Sequence, residues 1–152
     1  MIATGLIPRR QVTDLVTYHL IINGDEVPGT IPIRSIEVIH EVNRIPTATI
    51  RIADGDVATG EWTASSGEQF ALGNEIEILV GYHSEDELIF KGIVTKQCIQ
   101  VRDNMLELEI ECKHQAVQLT GSRNSRQFLD ISDSDLISVL LDEYDLAGTI
   151  EQ

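Results

Sequence analysis

Short runs in which apolar and polar residues alternate fill most of the chain, and a period of two marks strands buried on one face. Val16, Tyr18, Leu20 and Ile22 make the first run, closed by Asn23-Gly24-Asp25 and a loop containing Pro28-Gly29. Ile36, Val38, His40 and Val42 make the second, with Glu37 and Glu41 on the other side. Asn43 to Pro46 turns the chain, and Ala48, Ile50 and Ile52 then alternate with Thr47, Thr49 and Arg51. Residues 54–74 are rich in Gly, Ser and Thr around the single Trp62, which reads as a long loop with room for one helical turn. A loop of that length in a compact domain usually has a role. Ile76, Ile78, Val80 and Tyr82 alternate with Glu75 and Glu77, and the polar stretch His83 to Glu87 leads into a long strand, Leu88 to Val101.

Asp103-Asn104 is a two-residue turn candidate, because Asn tolerates the left-handed backbone that tight hairpins need. That turn predicts Arg102 opposite Met105, Gln100 opposite Glu107, Cys98 opposite Glu109 and Lys96 opposite Glu111. The other face then stacks Val101 and Ile99 against Leu106 and Leu108, with Ile110 and Cys112 continuing it. Cys98 and Cys112 fall on opposite faces, which argues against a bridge between them. After Gln115 the period changes. Ser132-Asp133-Ser134-Asp135 supplies an N-cap and acids that complement the helix dipole. Leu136, Ile137, Val139, Leu140 and Leu141 follow at helical spacing, Tyr144 extends that face, and Gly148 is the predicted stop. The chain ends at Ile150-Glu151-Gln152, which reads as a fragment or a short member of a longer family. The expected organisation is an N-terminal arm over 1–15, a β-barrel over 16–120, and a loop and helix over 121–152.

Composition bounds this picture. At 152 residues, 42% hydrophobic and 24% charged, the chain is too apolar for disorder and long enough for a core of its own. Its 11 Lys and Arg against 25 Asp and Glu leave a net charge of −14. A nucleic-acid footprint needs clustered cations and an anionic membrane attracts them, so neither is the expected partner. The first residues lack the basic start and apolar stretch of a signal peptide, and two cysteines make no disulfide scaffold. The chain reads as soluble and made in a reducing compartment.

Candidate chemistry is sparse. Of four histidines, His40 is expected mid-strand on the apolar side, His19 outward, His114 at a strand end and His83 in an acidic turn; none has zinc-ligand spacing. Asp54-Gly55-Asp56 with Glu61 has the outline of a calcium loop but lacks its twelfth-position Glu. Neither Cys has a neighbouring His, no serine sits in a nucleophile elbow, and Gly121-Ser122-Arg123-Asn124-Ser125-Arg126 has one glycine only. No catalytic group, cofactor or metal is expected. Glu107, Glu109 and Glu111 line one strand face, and such a row reads as a solvated or inter-subunit surface. With Lys96 on the facing strand and Trp62 in the long loop, they are the candidate subunit-contact residues.

The second half also resembles a known family. Phe90-Lys91-Gly92-Ile93-Val94 follows an apolar strand ending in Gly81-Tyr82. Beyond the Glu-rich strand come Leu119-Thr120, Ser125-Arg126-Gln127-Phe128, and Ser134-Asp135-Leu136-Ile137-Ser138-Val139-Leu140-Leu141-Asp142-Glu143-Tyr144-Asp145-Leu146. In order and spacing, from about Tyr18 to Leu146, these pieces resemble the N-terminal part of the VgrG and phage late-control protein D family. The resemblance implies a mainly β fold with a C-terminal helix, an antiparallel small β-barrel like that of tail tubes and hubs. It further implies a non-catalytic baseplate hub protein of a contractile injection apparatus, phage tail-like or type VI-like. Its partners would be copies of itself in a homotrimer, a tail-tube protein, a spike or PAAR-type tip protein, and other baseplate subunits. Such a protein is assembled in the bacterial cytoplasm and leaves in an injection particle. The later hub domains, neck and needle of that family have no counterpart in this sequence. The alternative is a β-barrel binding module for a carbohydrate or peptide, which would want an aromatic platform; Tyr18 and Tyr82 are instead expected on core faces.

Overall fold

The computed structural model describes residues 16–54, 68–82, 85–102, 105–144 and 146. Trp62, His83, Asp103-Asn104, Gly148, the expected arm over 1–15 and most of the calcium-like stretch lie outside them. Seven strands follow in order: β1 (Thr17–Ile22), β2 (Asp25–Glu26), β3 (Ile33–Ile39), β4 (Thr47–Ala53), β5 (Glu75–Tyr82), β6 (Glu85–Arg102) and β7 (Met105–Lys113). One α-helix, α1 (Asp133–Asp142), comes after them. The strands pair antiparallel in the order β2-β1-β5-β6-β7-β4-β3, so the fold is mainly β with a C-terminal helix. Among the described residues the ladder does not close into a full barrel: β2 and β3 are its edges.

β6 explains the shape. Its first half, Glu85–Ile93, pairs with β5, and its second half, Ile93–Arg102, pairs with β7. The molecule is therefore two half-sheets that share one strand, with the apolar faces of both turned onto a single core. Strands that pass between sheets in this way bend at bulges or glycines. Here the bend holds both: the β6–β7 register shifts between Val94 and Lys96, and Gly92 lies two residues before Val94. A Cβ at Gly92 would collide with the backbone carbonyl of Lys113, and the Phe90 ring lies against the same spot. A second shift, opposite Ile78 and Leu79, leaves Ile89 unpaired, so that Ile89 and Phe90 both contribute to the core side.

The core joins residues from both halves, including Leu20, Ile22, Ile50, Ile52, Phe70, Ile76, Ile78, Phe90, Leu108 and Ile110. Turn chemistry matches the sequence: Asn23 (φ 51°) and Gly24 (φ 89°) supply the two left-handed residues of a type I′ hairpin between β1 and β2. The β6–β7 register is the predicted one, from Arg102 opposite Met105 to Lys96 opposite Glu111. Cys112 is buried and Cys98 is half-buried, both as free thiols.

Three expectations need correction. The second strand ends at Ile39, so His40 and Val42 lie beyond it; Val42 is 90% exposed. The reason is that β4 begins at Thr47, which pairs with Ile39 and leaves no ladder for residues 40–42. Tyr18 and Tyr82 keep the inward parity but are 48% and 51% exposed, because they stand at the open ends of β1 and β5. Ile99 and Val101 face Leu108 and Leu106 across the hairpin, yet only the β7 pair is buried.

α1 starts as expected, with Ser132 Oγ accepting from the Asp135 N–H at 3.2 Å and Asp133 and Asp135 in the first turn. It ends at Asp142, and none of its residues is buried.

Candidate functional site

The outer face of β6, β7 and β4 carries the predicted contact residues. Lys96 Nζ donates to Glu111 Oε1 at 2.5 Å, and both side chains remain substantially exposed. Glu109 accepts from Arg51 Nε at 2.8 Å, and Glu107 Oε1 lies 4.0 Å from the same nitrogen. These two glutamates differ from the expected solvated row: Glu107 is 7% exposed, and the Glu109 side chain is 14% exposed. Arg51 supplies the physical reason. It sits on β4 directly opposite Glu109 in the β4–β7 ladder, a long-range pairing that alternation within each strand does not encode. The hydrogen bond to Glu109 raises the Arg51 pKa, so the guanidinium keeps its charge. The structure thus joins Lys96, Glu107, Glu109 and Glu111 on one face, while Trp62 lies outside the described residues.

The open seam is the second feature. Where the two half-sheets meet without a ladder, a groove of about 420 Å³ runs between β3 and the β1–β5–β6 side, lined by Tyr18, Ile33, Ile36, Val38, Val80 and Ile89. Just past β3, His40 Nε2 lies 3.0 Å from the carbonyl oxygen of Ile89 on β6. A second concavity, of about 500 Å³, lies between α1 and the stretch before it, among Leu119, Phe128, Ile137, Leu140 and Tyr144. Arg126 spans its rim with two bonds to Glu143, at 2.8 and 2.6 Å.

The remaining candidates have structural partners. His114 Nδ1 accepts from the Ala116 N–H at 3.1 Å and caps a 3-10 turn. Asp54 is buried, and its N–H donates to the Leu106 carbonyl. Burial pushes the Cys112 thiol up to about 12, which removes its nucleophilic form at neutral pH. Among the described residues no group of three His, Cys, Asp or Glu side chains is placed to hold a metal ion. No helix among them is long and apolar enough to cross a membrane.

A family model described as the Alg8 N-terminal domain matches residues 12–152. The chain belongs to that family. This overturns the resemblance to VgrG and late-control protein D, since the match takes in the whole stretch that carried it. The misreading has a physical origin. The Phe90–Val94 motif is a strand corner built on Gly92, and the Ser134–Leu146 motif takes in most of the capped helix α1. Strand corners and capped helices of these kinds recur in unrelated families. No curated protein matches this Alg8 N-terminal domain in sequence. In fold it is similar to a solved structure, the 43 kDa tail protein of prophage MuSo2 from Shewanella oneidensis. That likeness has a TM-score of 0.66 at 10% identity and covers 86% of this chain. The chain spans 38% of the length of that tail protein.

Proposed function

We propose that this domain is a non-catalytic structural element of a tail-like contractile injection apparatus, assembling with copies of itself at the baseplate hub. The observation that carries the reading is the fold shared with a phage tail protein over most of the chain. Two features support it. Among the described residues, β2 and β3 each pair on one side only, and open edges are where another subunit adds. The charged side chains of the outer face are spent on each other, as in Lys96–Glu111, Arg51–Glu109 and Lys91–Glu77, rather than converging on a cleft.

In this reading the assembly is a homotrimer that takes a tail-tube protein on one side and a spike or tip protein on the other. Light scattering of the purified chain, alone and mixed with the tail-tube protein of the same particle, tests it. Trimers or a tube complex are expected. A chain that stays monomeric at every concentration and ignores the tube protein would remove the proposal.

The exposure of Tyr18 and Tyr82 gives the binding-module alternative its support, and Tyr18 lines the seam groove. Glycan or peptide binding by the monomer, lost in Tyr18→Ala, would favour that reading.

A further inference from the structure

His19 stands on the outward side of β1 with an acid on each flank. Its Nδ1 lies 2.5 Å from Glu26 Oε1 on β2, and its Nε2 lies 3.5 Å from Asp86 Oδ2 on β6. The two carboxylates reach it from opposite sides of the sheet, β2 being the edge and β6 lying beyond β5. β5 itself brings no charge to this spot, because the residues opposite His19 and Thr17 are Leu79 and Gly81. Glu77 sits further along, opposite Ile21, and is held by Lys91 at 2.7 Å. Glu85 and Glu87 pair with Tyr82 and Val80, whereas Asp86 pairs with Gly81.

Asp86 crosses β5 because position 81 is glycine. A Cβ there would fall on Asp86 Oδ1 and lie 2.5 Å from Thr17 Oγ1. Thr17 Oγ1 also donates to Asp86 Oδ1 at 2.9 Å, which aims the other carboxylate oxygen at His19. A neutral imidazole has one N–H and can donate to one acid; an imidazolium has two and can donate to both. The hydrogen bond to Glu26, aided by the charge of Asp86, raises the His19 pKa above 6.5. β2 itself has two ladder pairs with β1, and its flanks are held by the bonds between Asn23 and Glu75, by the bond from the Val27 N–H to the Leu20 carbonyl at 2.7 Å, and by the Val27 side chain in the core.

We propose that His19 is a proton-operated clasp that pins the edge strand β2, through Glu26, to Asp86 across the outer face. The clasp is closed when the imidazole is charged and one-sided when it is neutral. Its folded pKa is raised, so its contribution is complete below the unfolded value of about 6.5. That contribution is lost as pH rises through the folded midpoint. Because β2 covers the free edge of β1, access to that edge then depends on pH.

The test is a proton NMR titration of the intact chain, with amide exchange followed between about pH 5.5 and 8.5. The His19 midpoint is expected above 6.5 in the wild type and lower in Glu26→Gln and in Gly81→Ala. Val27 exchange is expected to step up across that midpoint, relative to His19→Gln at the same pH, where the step is absent. Protected amides of Ile50 and Ile110 report that each variant is folded. A His19 midpoint at or below 6.5 overturns the clasp, as does a Val27 profile identical in the wild type and His19→Gln.

Discussion

The sheet and the stretch after it are both amphipathic, and they meet opposite fates. Between Thr17 and Lys113, the apolar positions of the strands find one another: Ile50, Ile52, Ile76, Ile78 and Ile110 are fully buried. Between Gln115 and Tyr144 the same kinds of residue stay in contact with water, with Ile137 44% exposed, Val139 43% and Leu140 36%. The difference lies in geometry rather than composition. A sheet that bends through β6 supplies the second wall of its own core, whereas a lone helix has only the stretch before it to lean on. Patterning states which face seeks cover; it does not state whether the chain provides that cover.

Substitutions sharpen this contrast. Leu108→Lys places a charge where the side chain is 1% exposed, and an unpaired buried charge costs about 3–5 kcal/mol, enough to unfold the chain. A thermal melt of that variant matching the wild type would mean that β7 does not face the core. Gly92→Ala drives a methyl into the Lys113 backbone at the bend, and overpacking of this kind costs about 1–3 kcal/mol. Its denaturant midpoint should fall well below that of Gly29→Ala, whose Cβ would meet nothing.

Glu109→Lys sets a second cation beside Arg51 on a partly buried face, for a loss of about 1–2 kcal/mol by urea titration. Equal stability would show that the Arg51 pair contributes nothing. Leu140→Glu on α1 should change stability by no more than about 0.5 kcal/mol, since surface substitutions rarely do more. A loss as large as that of Gly92→Ala would place the helix in the core and erase the contrast.

Local rules made much of the fold legible. The alternation of Ala48, Ile50 and Ile52, the Asn23-Gly24 hairpin and the Ser132 cap each involve neighbours within a few residues. The β6–β7 register was readable because one face must be apolar, and a slip by one residue would turn Leu106, Leu108 and Ile110 outward. What escaped was non-local. Nothing near Glu109 in the chain names Arg51 as its partner, and nothing near His19 names Asp86. The bulges at Ile89 and Thr95 break the period of two inside β6, and they become visible only once its two partners are known. The family resemblance failed for a related reason, because its motifs record local solutions that separate families share.

β6 has a mechanical consequence. It is 18 residues long, and at about 3.3 Å per residue that is roughly 60 Å of unbroken strand. No loop interrupts it between Glu85, where it lies beside β5, and Arg102, where it lies beside β7. A pull or twist applied at one end has no slack segment in which to dissipate and travels along a single load path through the bend at Gly92. The two half-sheets therefore behave as one bent beam, and a neighbour that grips either end holds both.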